Sequence, residues 1–470
     1  MVEFFYSTDG YKLDHRRQYP EGTEYVLSNL TARASRIPEV DKAVFKGLRM
    51  YLQRHLMDGA NETFFNRPIK EVTDDYKEFL DDYLGPNTIT VEHVAELHKL
   101  GYVPLKFWAV PEGTEVPLRM PMLTLQNTHK DFGWIVNYIE PALSAEVWPV
   151  VQSATTALRY RKVLDYYCKR TGGDPSFVDY QAHDFSLRGM FGLEAAELAG
   201  LGHLEYFKGS DNLPAIRALR KYYGIKKGNS VPATEHSVMC AGGKETEIET
   251  FRRLMKLYPA GILSVVSDTW DFWNVVGNIL PQLKGEILAR NGKLVIRPDS
   301  GDPIKIICGT RPGAGESLEE IGLIQALWNT FGGTVNKAGF KELDIHIGAI
   351  YGDSITKERA ETICSLLEAM GFASTNIVFG VGSYTYQFVT RDTLGQAIKA
   401  TWCQIKGAEH LLFKNPKTDD GTKRSAKGRI VLLDRPEGIK MIDELYRDDW
   451  AAYQATNLLQ PVWQDGGFYR

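Results

Sequence analysis

Apolar residues follow two rhythms along this chain. Up to about residue 150, short aromatic and β-branched runs at Glu24–Leu27, Val103–Val110 and Glu115–Thr124 alternate with helical segments such as Val72–Leu84, which predicts an α+β domain. From about residue 175 to 390 the rhythm becomes an apolar run, a polar loop and an amphipathic helix, repeated. SFVDYQAHDFSLRG leads into a helix over Leu193–Leu201 and GILSVVSD into one over Trp270–Arg290. KLVIRPDSGDP precedes Leu318–Phe331, LDIHIGAIYGDS precedes Lys357–Met370, and NIVFGVGS closes the series. Short apolar runs that do not alternate are parallel strands covered on both faces. An α/β barrel and an open doubly wound sheet both produce this rhythm, and both place ligands at the carboxyl ends of the strands. The last stretch, with KNPKTDDGTKRSAKGR, loses the rhythm and gains polar turns. The expected division is 1–150 as the N-terminal part of the α+β domain, 151–390 as the α/β domain, and 391–470 returning to the first.

Composition narrows the functional classes. With 470 residues, 43% of them hydrophobic, the chain is long enough for two domains. Its 55 basic and 59 acidic residues leave a formal charge of -4, so there is no global basic field for nucleic acid and no polybasic tail for a membrane. Any anion must be held locally. The five cysteines are scattered, with no C-x-x-C pair, and are expected to be reduced core thiols. No secretory h-region and no membrane-length apolar window is present, so a cytoplasmic protein is expected.

The chemistry gathers where the apolar runs stop. LSVV, which contains Ser264, is followed by Ser267-Asp268, and LVI by Arg297, Asp299, Ser300 and Gly301. IHIGAI is followed by Gly352-Asp353-Ser354, and NIVF by Gly380, Gly382 and Ser383. HDFSLRG supplies His183, Asp184, Phe185 and Arg188, and SVPATEHS supplies Ser230, Glu235 and His236. Any one of these ends is explained by turn chemistry alone. Together they equip one face with carboxylates for metal or hydroxyls, arginine for phosphate, and Gly and Ser amides for phosphate oxygens, as a sugar phosphate requires. His236, next to Glu235, is a candidate base or phosphoryl acceptor, although a lone histidine among ten is more often structural.

Read in order, DGYKLDHRRQYP, HDFSLRG, FKGSD, SVPATEHS, SVVSD, IRPDSG, the GD of AIYGDS, FGVGS with TRD, and KRSAKGR resemble the nicotinamide phosphoribosyltransferase family from residue 9 to 429. The resemblance implies an irregular α/β barrel, here the catalytic domain, beside an α+β domain built from both chain ends. It also implies a homodimer with active sites at the interface, and the making of nicotinamide mononucleotide from phosphoribosyl pyrophosphate and nicotinamide. By the same resemblance Phe185 stacks on the pyridine ring, with Tyr11 of a second copy on the other face, and Arg188 binds near the amide. Asp211 accepts from the carboxamide, Ser230 and Ser264 line the substrate site, and Arg297, Asp299, Gly352, Asp353, Gly382 and Arg391 take the phosphoribosyl group. His236 is implied to be phosphorylated from ATP, oriented by Glu235 and Asp268. Arg33, Lys399, Lys414 and Lys423 are implied to reach phosphates, and Mg2+ to be held by Asp268 and Asp299, through water or directly.

Nicotinate phosphoribosyltransferase is the nearest rival, and an anionic Asp211 argues against it because it would repel a carboxylate. A phosphate-binding aldolase or isomerase barrel would want a Schiff-base lysine or a catalytic carboxylate at a strand end, and no lysine occupies one. A purely binding protein would leave many converging charges unused, which is costly without a ligand.

Overall fold

A computed structural model describes residues 3–352, 354–414 and 426–469. The chain divides into two compact units, Met1–Thr155 with Val389–Arg470, and Thr156–Phe388. In the first, strands from both ends of the chain share one seven-stranded sheet. Thr23–Ala32 lies between Gln396–Ile405 and Pro121–Asn127, all antiparallel, with Asn29 opposite Lys399. Leu105–Ala109 pairs with Pro121–Asn127 and with Gln460–Gln464. Phe107 and Trp463, both fully buried, meet edge to face at 5.8 Å in the core. The helix Ile69–Leu84 turns Val72, Tyr76 and Leu80 inward, the i, i+4 spacing of an amphipathic helix.

The second unit settles the choice between barrel and open sheet. Six parallel strands lie in the order Gly209–Ser210, Ala182–Asp184, Ile377–Val381, Ile347–Tyr351, Leu294–Arg297 and Leu263–Val266. Residues 229–234 join the two edges, because Asn229 bridges Gly209 and Ala233 bridges Ser264. Ser210 N–H donates to Asn229 O at 3.0 Å on one side, and Thr234 N–H to Ser264 O at 3.0 Å on the other. The staves therefore run around a closed ring in chain order. The closing stave is not a regular strand, since Pro232 has no N–H and contributes only its carbonyl, which accepts from Ser264 N–H at 2.9 Å.

Every residue of the LSVV and IGAIY strands is buried, which is why neither run alternates. Helix Leu318–Phe331 begins at a capping box made by Ser317 and Glu320, and Thr356 caps Lys357–Ala369. Two expectations need correction. The helix over 270–290 is interrupted by a π-helical segment at Val275–Ile279, just before Pro281, whose missing N–H an ordinary turn would not tolerate. The run LDIHIGAIY is also two elements: Lys341–Leu343 forms a hairpin with Gly333–Val335, and only Ile347–Tyr351 joins the barrel. Four cysteines are buried as expected, but Cys240 is exposed, because its short helix turns the neighbouring Met239 inward instead. Among the described residues no helix is long and apolar enough to cross a membrane.

Candidate active site

The carboxyl ends of the barrel strands carry two linked groups of side chains. The first surrounds Asp211, which directly follows Gly209–Ser210 and whose N–H donates to Asp184 O at 3.0 Å. His183 Nε2 lies 3.0 Å from Asp211 Oδ1, and Ser230 Oγ donates to the same oxygen. Burial alone would push the Asp211 carboxyl up, yet the hydrogen bonds from His183 and Ser230, with the charges of His183 and Arg297, hold it below the ordinary aspartate range. The His183 ring lies 4.5 Å from Phe185, and the Arg297 guanidinium sits 5.0 Å from the Phe185 centroid.

Arg297 connects to the second group. Its Nη2 is 3.5 Å from Asp299 Oδ1, and both Asp299 Oδ1 and Arg297 Nε are buried without a hydrogen-bond partner among the described residues. Asp268, almost fully buried, accepts at Oδ2 from Asp299 N–H at 2.9 Å and Ser300 Oγ at 2.6 Å, while its Oδ1 accepts no hydrogen bond among the described residues. His236 opens the helix His236–Gly242 and points Nε2 at this pair, 3.8 Å from Asp299 Oδ2 and 3.9 Å from Asp268 Oδ1. Its Nδ1 is 3.2 Å from Thr269 Oγ1. Unsatisfied buried carboxylate and guanidinium atoms at a cleft mark a place built for polar ligand atoms.

Gly352 makes this cluster possible. A Cβ there would overlap Asp299 Oδ1 and stand 2.6 Å from Arg297 Nε. Gly382 precedes the short helix Ser383–Gln387, and Arg188 is exposed on the turn Leu187–Gly189. Ser264 lines a cavity of about 320 Å³ that touches all seven staves, with His183 and Ser230 toward the carboxyl ends and Lys293, Ile347 and Asn376 toward the amino ends. Glu235 is not where the resemblance put it: its carboxylate accepts from Ser237 Oγ, and the groups facing His236 are Thr269, Asp268 and Asp299.

The remaining implied residues belong to the other unit. Arg33, Lys12 and Lys414 each lie close enough to Lys399 for their charges to act on it. Burial, followed by the three neighbouring cations, pulls the Lys399 ammonium below its usual range against the opposing pull of Glu140. Lys12 pairs with Glu140 at 2.7 Å, and Arg33 Nε donates to Gly395 O at 2.9 Å. A cation cluster with one carboxylate suits a polyanion. Arg391 sits 3.4 Å from Asp392, and the Tyr11 ring is 66% exposed. Asp353 and Lys423 lie outside the described residues. Sequence reasoning passed over Thr269, Lys12 and Glu140, and left His183 without a role. For His183 the signal was its place two residues before Phe185, which sends both rings to the same face of a strand.

The nicotinate phosphoribosyltransferase family model matches residues 180–459, more than half of the chain, and the nicotinamide phosphoribosyltransferase N-terminal domain model matches residues 3–106. The chain is 50% identical over 449 residues to the nicotinamide phosphoribosyltransferase of Acinetobacter baylyi, covering 93% of this chain and 89% of that one. The chain belongs to the nicotinamide phosphoribosyltransferase family. It is therefore an enzyme of the glycosyltransferase class. The family relative from Mycoplasma genitalium, also a nicotinamide phosphoribosyltransferase, is 36% identical over 442 residues, covering 89% of this chain and 93% of its own. Human nicotinic acid phosphoribosyltransferase shares the fold, with a TM-score of 0.56 at 17% identity over 98% of this chain and 90% of the human one. So does the nicotinate-nucleotide pyrophosphorylase of Pyrococcus furiosus, with a TM-score of 0.55 at 14% identity over 98% of this chain and 90% of that one.

Proposed function

We propose that the chain transfers the phosphoribosyl group of phosphoribosyl pyrophosphate to nicotinamide, giving nicotinamide mononucleotide and pyrophosphate in NAD salvage in the cytoplasm. The observation that carries this reading is the Asp211 carboxylate held by His183, whose ring lies 4.5 Å from Phe185. An anion there attracts the carboxamide NH2 and repels the carboxylate of nicotinate, and an aromatic face suits a ring that becomes cationic in the product. Arg297 clamps a phosphate, Asp299 accepts from ribose hydroxyls, and Gly352 and Gly382 let the backbone approach the sugar phosphate.

In the reaction the bond from the anomeric carbon to pyrophosphate breaks and the pyridine nitrogen bonds to that carbon, through an oxocarbenium-like transition state. No side chain attacks carbon. The stacked ring is held in line with the leaving group, and basic residues stabilise the departing charge. The Oδ1 atoms of Asp268 and Asp299, which accept no hydrogen bond among the described residues, fit a role in holding Mg2+, directly or through water. Among the described residues no three acidic, His or Cys side chains form a closed metal cage, so substrate oxygens and water would complete its shell. The ion would neutralise pyrophosphate charge.

His236 is proposed to accept a phosphoryl group from ATP and so raise turnover. Nδ1 is engaged by Thr269, its side chain is 48% exposed, and Nε2 faces Asp268 and Asp299. A homodimer is also proposed: Phe191, Leu193, Tyr384 and Phe388 are exposed near one another at the barrel mouth, where Phe191 N–H donates to Gln387 Oε1 and the Tyr384 and Phe388 rings lie 4.4 Å apart. A second copy would cover them.

The test is a product assay with phosphoribosyl pyrophosphate and Mg2+, with nicotinamide or nicotinate, each with and without ATP. We expect nicotinamide mononucleotide, boosted by ATP. Product from nicotinate alone would overturn the reading of Asp211, and none from either base would overturn the proposed reaction.

A further inference from the structure

Resting on that reading, we propose that His183 is a positioning residue for base choice: with Ser230 it ties up Oδ1 of Asp211, so that Oδ2 alone remains to accept from the carboxamide. A carboxylate accepts and does not donate, so the His183 contact at 3.0 Å requires a hydrogen on Nε2. Ser230 Oγ donates to the same Oδ1, and among the described residues no donor reaches Oδ2. Two donors on one oxygen stop the carboxylate from rotating and define which lone pairs meet the substrate.

The surroundings hold both partners in place. The Asp211 backbone is anchored by its N–H to Asp184 O. Gly209, two residues before it, is held through its carbonyl by His203 Nε2 at 3.0 Å, and Tyr386 OH lies 2.7 Å from His203 Nδ1. His203 is fully buried, and that burial favours its neutral form, which accepts from Tyr386 and donates to Gly209. Any side chain at Gly209 would crowd the imidazole, since a Cβ there stands 2.8 Å from His183 Nδ1. Glycine at 209 therefore leaves room for the histidine ring, which is also seated against Phe185.

The experiment compares His183→Leu, His183→Gln and Ser230→Ala with the unmodified enzyme, measuring kcat and KM for nicotinamide, nicotinate and phosphoribosyl pyrophosphate. Losing one hydrogen bond to a charged group is expected to lower the nicotinamide-to-nicotinate ratio of kcat/KM about tenfold in His183→Leu. The loss should appear in the KM for nicotinamide, with the KM for phosphoribosyl pyrophosphate held within about twofold. Glutamine can place an amide N–H near the position of Nε2, so His183→Gln should recover most of the ratio, which a merely structural role would not predict. Ser230→Ala should shift the ratio in the same direction.

An unchanged ratio in an active His183→Leu enzyme overturns the proposal while leaving the transferase reading standing, and so does a glutamine variant as impaired as the leucine one. If His183→Leu does not fold, Ser230→Ala decides: a wild-type ratio in that variant overturns it. Absence of mononucleotide from the unmodified protein with either base overturns the transferase reading and this proposal with it.

Discussion

Gly352→Ala isolates the proposed phosphoribosyl end of the site. Gly352 directly follows the strand Ile347–Tyr351, its N–H donates to Pro298 O at 3.0 Å, and its φ is not in the left-handed region, so alanine brings no backbone strain. The added methyl overlaps Asp299 Oδ1 and meets Arg297 Nε at 2.6 Å and Nη2 at 3.1 Å. Reaching the 3.4 Å of ordinary contact displaces the Arg297 stem by about 0.8 Å and Asp299 by more. A misplacement of about 1 Å at a reacting centre costs on the order of a hundredfold in rate, or about 2.7 kcal/mol. The assay is kcat/KM for phosphoribosyl pyrophosphate beside a melting curve. We expect a drop of about a hundredfold with Tm changed by only a few degrees. Activity within about threefold of the unmodified enzyme would refute the reasoning, because it would mean that Arg297 and Asp299 can move without consequence.

Other outcomes follow from the same geometry. His236→Ala should lose ATP stimulation while keeping basal transfer, and undiminished ATP coupling would remove His236 as the phosphoryl acceptor. Asp211→Asn should relax the preference for nicotinamide over nicotinate, and an unchanged ratio of the two kcat/KM values would take Asp211 out of base selection. Burial and the nearby charge of Asp271, opposed by Lys244, push the Glu247 carboxyl up to about 7, and its Oε1 is buried without a partner among the described residues. A raised folded pKa means that the folded state holds its proton longer than the unfolded chain does. Glu247 therefore lowers stability as pH climbs from its ordinary value of 4.5 to about 7, by up to about 3 kcal/mol, with no further change above that. Glu247→Gln should flatten that fall, and parallel stability curves for the two proteins between pH 5 and 8 would contradict it.

Much of the site was legible because parallel strands announce themselves. A strand buried on both faces must be an apolar run, and the residues that end it are the ones that face the mouth, so Asp268, Arg297, Asp299 and Gly352 could be named from that pattern, whereas Asp211, after the two-residue strand Gly209–Ser210, was named only through the family resemblance of FKGSD. Glu235 was misassigned because adjacency in sequence does not say which way a carboxylate turns; it turned to Ser237. Thr269 was missed because its partner, His236, is distant in the chain, and a lone threonine carries no motif.

What the sequence determined by itself is the class of most elements and the family, since the periodicity of burial and the order of motifs are local properties of the chain. Closure of the barrel was decided only in three dimensions. Residues 229–234 contain a proline and no apolar run, and they become a stave only because Gly209 on one side and Ser264 on the other offer backbone groups to pair with. The same is true of the chain of contacts from Asp211 through His183, Phe185 and Arg297 to Asp299. It joins residues on three different strand ends, and hydrogen bonds and ring contacts fall off within a few ångströms, so only the packed barrel brings them within range.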